Sequence, residues 1–322
     1  MKKSGKIALL VAIALTVVGL AVMFFAMLSV GFDFRRLDSS KYVSKTQPVT
    51  IDFDRISVEL NVSDLEFVLT EDDTCRVELY ENEKTPHTVT MDGETLVIRE
   101  TDERKWYDHI GFQFDSAKVT VYLPKKAYDK LTVVGDTSDV TVPTGMTVSA
   151  AEISLSTGDV AFYATVGDFV SIKTTTGDVT VADIGVKHTA TLTTETGEIT
   201  LRSVTASAVC FETDTGDVEL DNVNCEQLTG KSDTGDISLD NVIVTGHLNL
   251  ESDTGDVELE RCDAATLSIR TSTGDVEGTL LSAKVFHTDT STGDVVIDPY
   301  TTEGGRCEIF TSTGDIHIRI EK

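Results

Sequence analysis

A Thr-Gly-acid tripeptide returns nine times along the chain, at Gly158, Gly177, Gly197, Gly216, Gly235, Gly255, Gly274, Gly293 and Gly314. Successive differences between these positions are 19, 20, 19, 19, 20, 19, 19 and 21 residues, a period that marks a structural repeat. Eight copies carry Asp and one, Thr196-Gly197-Glu198, carries Glu. A degenerate copy, Thr137-Ser138-Asp139, stands one period earlier, which makes ten coils by count. No unit of this length can bury an apolar face alone, so the repeats must stack.

Aligned on the glycine, the repeats show the alternation of a strand that turns one face inward. Two positions after the glycine stand Val160, Val179, Ile199, Val218, Ile237, Val257, Val276, Val295 and Ile316. Two further on come Phe162, Val181, Leu201, Leu220, Leu239, Leu259, Gly278, Ile297 and Ile318, a row broken only by Gly278. Three positions before it a hydroxyl recurs, Thr174, Thr194, Thr213, Ser232, Ser252, Thr271, Thr290 and Thr311, with Leu155 the exception. The expected fold is therefore all-β, a parallel β-solenoid of about ten 19–20-residue coils, with the hydroxyls facing inward and satisfying one another along the stack. At ~4.8 Å per coil the rod is on the order of 45–50 Å long.

Residues 49–135 read as a β-rich N-terminal cap leading into a solenoid of residues 136–322. Alternating runs occur at Ile56–Leu60, Arg76–Tyr80, Thr95–Ile98 and Lys118–Leu123, and Met91-Asp92-Gly93-Glu94 supplies a hairpin turn. The charged alternation of Ile316–Lys322 is expected to close the opposite end and discourage end-to-end pairing.

Between Lys6 and Asp33 lie 26 residues without a charge, enough for a helix to cross the ~30 Å hydrocarbon core. Residues 7–30 read as a transmembrane signal anchor between a cytoplasmic tail, 1–6, and a linker, 31–48. The run exceeds a normal signal-peptide core, and Ala26-Met27-Leu28-Ser29 lacks a small-x-small ending. A short tail with three lysines translocates poorly, whereas a large acidic domain crosses despite its acids, which places the C-terminal bulk outside the cell membrane.

The net charge of −27 is uneven. Residues 1–135 hold 17 basic and 21 acidic side chains, or −4, leaving −23 for residues 136–322. Nucleic acid is excluded as a partner by that sign, and cations, basic surfaces, a protein or a surface polymer are favoured. The five cysteines form no CxxC pair; Cys262 and Cys307 fall in apolar slots, and Cys210 faces outward as the most open thiol.

Val119-Thr120-Val121-Tyr122-Leu123-Pro124, then Leu131-Thr132-Val133, then the repeated Thr-Gly-Asp-Val together resemble a bacterial β-strand-repeat family known as "putative adhesin", a domain of unknown function. The likeness spans roughly residues 50–322 and includes the opening run Ile56–Leu65. It implies a surface or envelope protein, in some members one near envelope-stress regulators. Ser138 departs from the pattern where the first glycine is expected.

The acid after each glycine forms a column whose neighbours ~4.8 Å apart repel by roughly 1 kcal/mol at the dielectric of water. Local backbone N–H bonds offset this in one reading. In the other, a divalent cation such as calcium bridges Asp214, Asp217, Asp233, Asp236, Asp253 and Asp256, although the Gly-Gly-x-Gly-x-Asp calcium-roll pattern is absent. Trp106, Tyr107 and Phe112 form an aromatic cluster that reads as packing or as a partner contact. The six histidines sit at scattered register positions, with no nucleophile-base-orienter set, so no catalytic or cofactor-binding residue is assigned. The sequence favours a non-enzymatic, membrane-anchored envelope protein for adhesion or surface interaction. An accessory sensor of envelope stress and a carbohydrate-active β-helix enzyme are the alternatives.

Overall fold

The computed structural model describes residues 3–29, 31–32, 41–106 and 115–321. Among them are one helix, α1 (Lys3–Ser29), and 24 strands joined in a single sheet that coils into a mostly parallel β-solenoid. Leu9–Ser29 within α1 is long and apolar enough to cross a membrane. Apart from Met27, its apolar side chains from Leu9 on are exposed all round, unlike the one-sided pattern of a helix packed on a protein core.

The cap comprises β1 (Tyr42–Val49), β2 (Arg55–Leu60), β3 (Ser63–Thr70), β4 (Cys75–Asn82), β5 (His87–Asp92), β6 (Thr95–Glu100) and β7 (Ala117–Pro124), followed by β8 (Ala127–Thr137) and β9 (Val140–Val142). The chain's first coil, β2 and β3, already belongs to the stack. Ile56 lies between Leu96 and Leu131, and β3 pairs in parallel with both β7 and β9. Beyond that coil the sheet continues antiparallel, with β4 on β7, β1 on β4 and β5 on β6. The hairpin between β5 and β6 turns at Gly93, whose φ is 59°.

From β8 onward each coil stacks on the previous one in register. Val160 pairs with Val140 and Val179, Ile199 with Val179 and Val218, and Ile237 with Val218 and Val257. These residues and the apolar ones two positions on are essentially inaccessible and form one continuous core with the cap. The strict alternation of the sequence makes that register unique, because a one-residue slip would turn every inward side chain out. Gly230 stands where the coils on either side carry the inward Phe211 and Leu250, and for a reason: a Cβ there would lie 2.0 Å from Cζ of Phe211. The aromatic ring fills two layers and the glycine makes room for it.

The last two coils stack out of chain order. The strand Thr266–Thr273 pairs with Arg306–Thr313, which pairs in turn with Lys284–Thr292. Val276 likewise pairs with Ile316, and Ile316 with Val295. The final segment is thus intercalated, and the coil 284–298 forms the outer end of the rod. This corrects the expectation that Ile316–Lys322 closes it. The choice follows burial: Cys307, Ile309, Ile316 and Ile318 are wholly inaccessible in the inner slot. The outer coil has Thr288 where the inner one has Ile309, so the richer coil takes the position with two neighbours.

All five thiols are free. Cys262 and Cys307 are fully buried, and burial pushes them up to about 11 and about 12; Cys75 and Cys225 rise likewise to about 11 and about 12. Cys210 is half-buried, and burial raises it too. Since the thiolate is the nucleophile, maleimide at pH ~7.5 is expected to label the folded protein at Cys210 first and slowly. Peptide mass spectrometry should find the other four labelled only after denaturation.

Candidate functional site

The side of the rod carrying the Thr-Gly-acid corners is its most regular surface. Each glycine there has φ between 135° and 150°, a region open to glycine alone in practice. In all but Gly293 of the outer coil the N–H donates to a threonine carbonyl of the next coil, as in Gly216 to Thr234 at 2.9 Å and Gly235 to Thr254 at 3.0 Å. The following acid closes the turn from the other side, because its own backbone N–H donates to the carboxylate of the adjacent coil. Asp139 donates to Asp64 at 3.1 Å, Asp159 to Asp139 at 2.9 Å, Asp178 to Asp159 at 2.8 Å and Glu198 to Asp178 at 2.8 Å. Beyond the glutamate the ladder resumes: Asp236 to Asp217 at 2.9 Å, Asp256 to Asp236 at 2.8 Å, Asp275 to Asp256 at 2.7 Å, Asp315 to Asp275 at 2.7 Å and Asp294 to Asp315 at 2.8 Å.

Glu198 marks the break. Its longer side chain turns to accept from the Thr200 hydroxyl at 2.8 Å instead of reaching the next turn. The ladder accounts for how like charges tolerate one column, since every rung places a carboxylate oxygen on a backbone donor. Asp236→Asn keeps the acceptor and removes a charge, so stability is expected to change by under about 1 kcal/mol, with any gain largest at low salt. Asp236→Ala leaves the Asp256 N–H without its rung and should cost about 1–2 kcal/mol. Urea midpoints of both variants at two salt concentrations distinguish the roles of charge and acceptor.

The hydroxyls three positions before the glycine face inward as expected, but they bond across coils rather than to one another. Thr194 donates to the Gly177 carbonyl at 3.0 Å, Thr174 to Gly158 at 3.2 Å and Thr311 to Gly274 at 3.2 Å. Ser232 and Ser252, lacking the methyl that fixes the rotamer, are buried with the hydroxyl unpartnered.

Asp217, Asp236 and Asp256 of the suggested cation ladder each commit one carboxylate oxygen to a rung. Asp214, Asp233 and Asp253 flank the same turns on the solvent side, with Asp233 ion-paired to Lys231 at 2.7 Å. Among the described residues no three His, Cys, Asp or Glu side chains converge to hold a metal ion. A shallow depression of about 280 Å³ nearby is lined by Glu219, Asp221, Asp240, Glu258 and Glu260, extending the acidic character around the second strand of three coils. Trp106 is 78% exposed, while Tyr107 and Phe112 lie outside the described residues.

A polar cluster that the sequence gave no reason to expect sits inside the cap. The Glu81 carboxylate accepts the His87 backbone N–H at 2.6 Å and faces His87 Nδ1 at 2.9 Å, with Lys45 as its third partner. Glu100 accepts the N–H groups of Asn61 at 2.7 Å and Val62 at 3.0 Å, and His87 Nε2 lies 3.8 Å from the same carboxylate oxygen. Burial pushes the Glu81 carboxyl up, but the Lys45 and His87 hydrogen bonds outweigh it and hold the group below the usual carboxylate range. All three side chains are inaccessible, so the cluster faces no solvent-borne substrate. It braces the turn Asn61-Val62-Ser63-Asp64, which has Ser63 where the repeats carry glycine and whose Asp64 carboxylate takes the first rung of the ladder.

The family model described as Toastrack DUF4097 matches residues 53–224 and 207–322. No curated protein matches the sequence. Similar solved structures include a "putative lipid binding protein" from Parabacteroides distasonis, 17% identical with TM-score 0.47, covering 87% of this chain and 97% of that one. A "putative adhesin" from Bacteroides fragilis is 13% identical with TM-score 0.42, covering 88% and 99% respectively. A further "putative adhesin", from Parabacteroides merdae, is 11% identical with TM-score 0.43, covering 88% and 97%.

Proposed function

The chain belongs to the Toastrack DUF4097 family, and from that premise we propose that it is a non-enzymatic envelope protein, held in the cell membrane by α1, whose rod presents an acidic side to another surface component. The observation that carries this reading is the aspartate ladder with its exposed outer carboxylate oxygens, repeated coil after coil on a rod of −23. A periodic, rigid, single-sign surface suits a basic protein face or cationic polymer that makes many weak contacts, and disfavours anionic lipid and nucleic acid.

The depression along the acidic strands is shallow, and the buried Glu81–His87–Glu100 cluster is turned away from solvent, which supports binding over catalysis. Protease treatment of intact cells tests the placement. Residues 41–322 are expected to be cleaved while a cytoplasmic control protein survives. Protection of both until lysis would overturn the surface reading in favour of a regulator facing the cytoplasm.

A further inference from the structure

We propose that the open C-terminal end of the rod is a pairing surface for a second copy of this chain. The residue two positions after the glycine is at most 1% exposed in the other eight coils of the glycine repeat, yet Val295 is 43% exposed and Val296 beside it 48%. Val285 at 44% and Tyr300 at 67% extend the same apolar end. Solenoids ordinarily finish with a polar capping repeat, and here the outer coil is an ordinary repeat with its core column laid open.

Its strand edges are open as well. Among the described residues, no strand pairs with the outer side of Lys284–Thr292 or Val295–Asp298. The carboxylate ladder stops at Asp294, whose N–H is held by Asp315 and whose own carboxylate has no further rung to accept. Edge strands are usually blunted by proline or outward lysine. The outer strands carry no outward lysine, since Lys284, their only one, is 2% exposed and bonded to Asp263 and Ser282, and Pro299 falls just past the end of Val295–Asp298 rather than within it. The other end of the rod is blunted: β1 carries Lys45 and Pro48, and Pro86 precedes β5.

Several observations point to a second copy as the occupant. Everywhere else along the rod, what covers a coil's edge is a strand of this same alternating pattern. Two identical ends brought together place their strands antiparallel, and the chain already extends its own stack that way with β4, β1 and β5. One open end per chain also closes at two copies, whereas two open ends would give a fibre.

The charge makes the proposal testable by sign. Two chains of −27 repel, so a pair held by backbone bonds and apolar side chains tightens as salt screens that repulsion. A basic partner at the same edge would weaken with salt. The full chain in detergent, followed by sedimentation equilibrium from ~50 to ~500 mM NaCl, is expected to form pairs whose dissociation constant falls as salt rises.

Val295→Lys with Val296→Lys should raise that constant at least tenfold while leaving the urea midpoint close to that of the native chain. A native chain that stays single at ~10 µM overturns the proposal. So does a pair that survives the double substitution, which would place the contact in α1, or a pair that weakens with salt. If the double variant fails to fold, the sign of the salt response in the native chain still decides.

Discussion

Replacing Gly235 by alanine is expected to cost at least about 3 kcal/mol, through two independent faults. Its φ of 136° lies where a side chain is strained, and a Cβ built there falls 2.2 Å from the Gly216 carbonyl oxygen of the coil beneath. Neither backbone can yield without separating the two coils, because the same turns are joined by the Gly216–Thr234 bond and the Asp217–Asp236 rung. Gly185→Ala is the control: it has no positive φ and nothing within 4 Å of a built Cβ. There the substitution is expected to be neutral or to stabilise by about 0.4–1 kcal/mol, by restricting the unfolded chain. Urea unfolding followed by circular dichroism measures both, and similar losses at the two sites would refute the close-approach account.

The second large effect is expected at Glu100. Removing its carboxylate by Glu100→Ala leaves the Asn61 and Val62 N–H groups without their acceptor inside the cap and empties the space beside His87, at a cost of about 3 kcal/mol. Glu100→Gln retains one acceptor oxygen and should lose about half as much. Hydrogen exchange locates the damage: amides of β2, β3 and β6 lose protection while the coils beyond Gly158 keep theirs.

The neighbouring Glu81 makes the cap sensitive to acid. Its folded-state pKa is held below the ordinary 4.5, so its contribution is complete above that value and is lost as pH falls through the folded pKa. Protection of β1 and β4 should therefore decline below about pH 4. Glu81→Gln should flatten that decline, and an unchanged acid limb in the variant would assign it to other carboxylates.

The coils were legible because their information is local and repeated. Glycine every 19 to 21 residues, a β-branched residue two positions on and, in all but one repeat, an apolar residue two further fix the period, the inward face and the register together. The inward place of Thr194 and the burial of Cys262 followed from the same alignment. What the sequence concealed depends on contacts between distant segments. Glu100 meets Asn61 across 39 residues of chain, and no spacing rule announces it. The aspartate rungs join coils rather than neighbours within a turn, so the sequence displays the column without the acceptor role of each member. The exchange of the last two coils was hidden for a third reason: both carry the pattern, and the decision rests on the greater apolarity of Ile309 over Thr288 and of Ile316 over Val295.

That exchange bears on how the molecule is made. A rod assembled in chain order could add each coil to a finished template as it emerges, and every length of chain would be a competent intermediate. Here the slot between the coil of Gly274 and that of Gly293 is filled only by residues 305–320, which are synthesised after both of those coils. At the opposite pole β2 and β3, the first strands to enter the stack, wait for β8 and β9 before they have neighbours on both sides. Completion of the stack thus waits on a segment made after both of the coils it separates. A chain cut short before residue 305 lacks an inner layer rather than an end one, and its coil 284–298 has no native surface on which to settle.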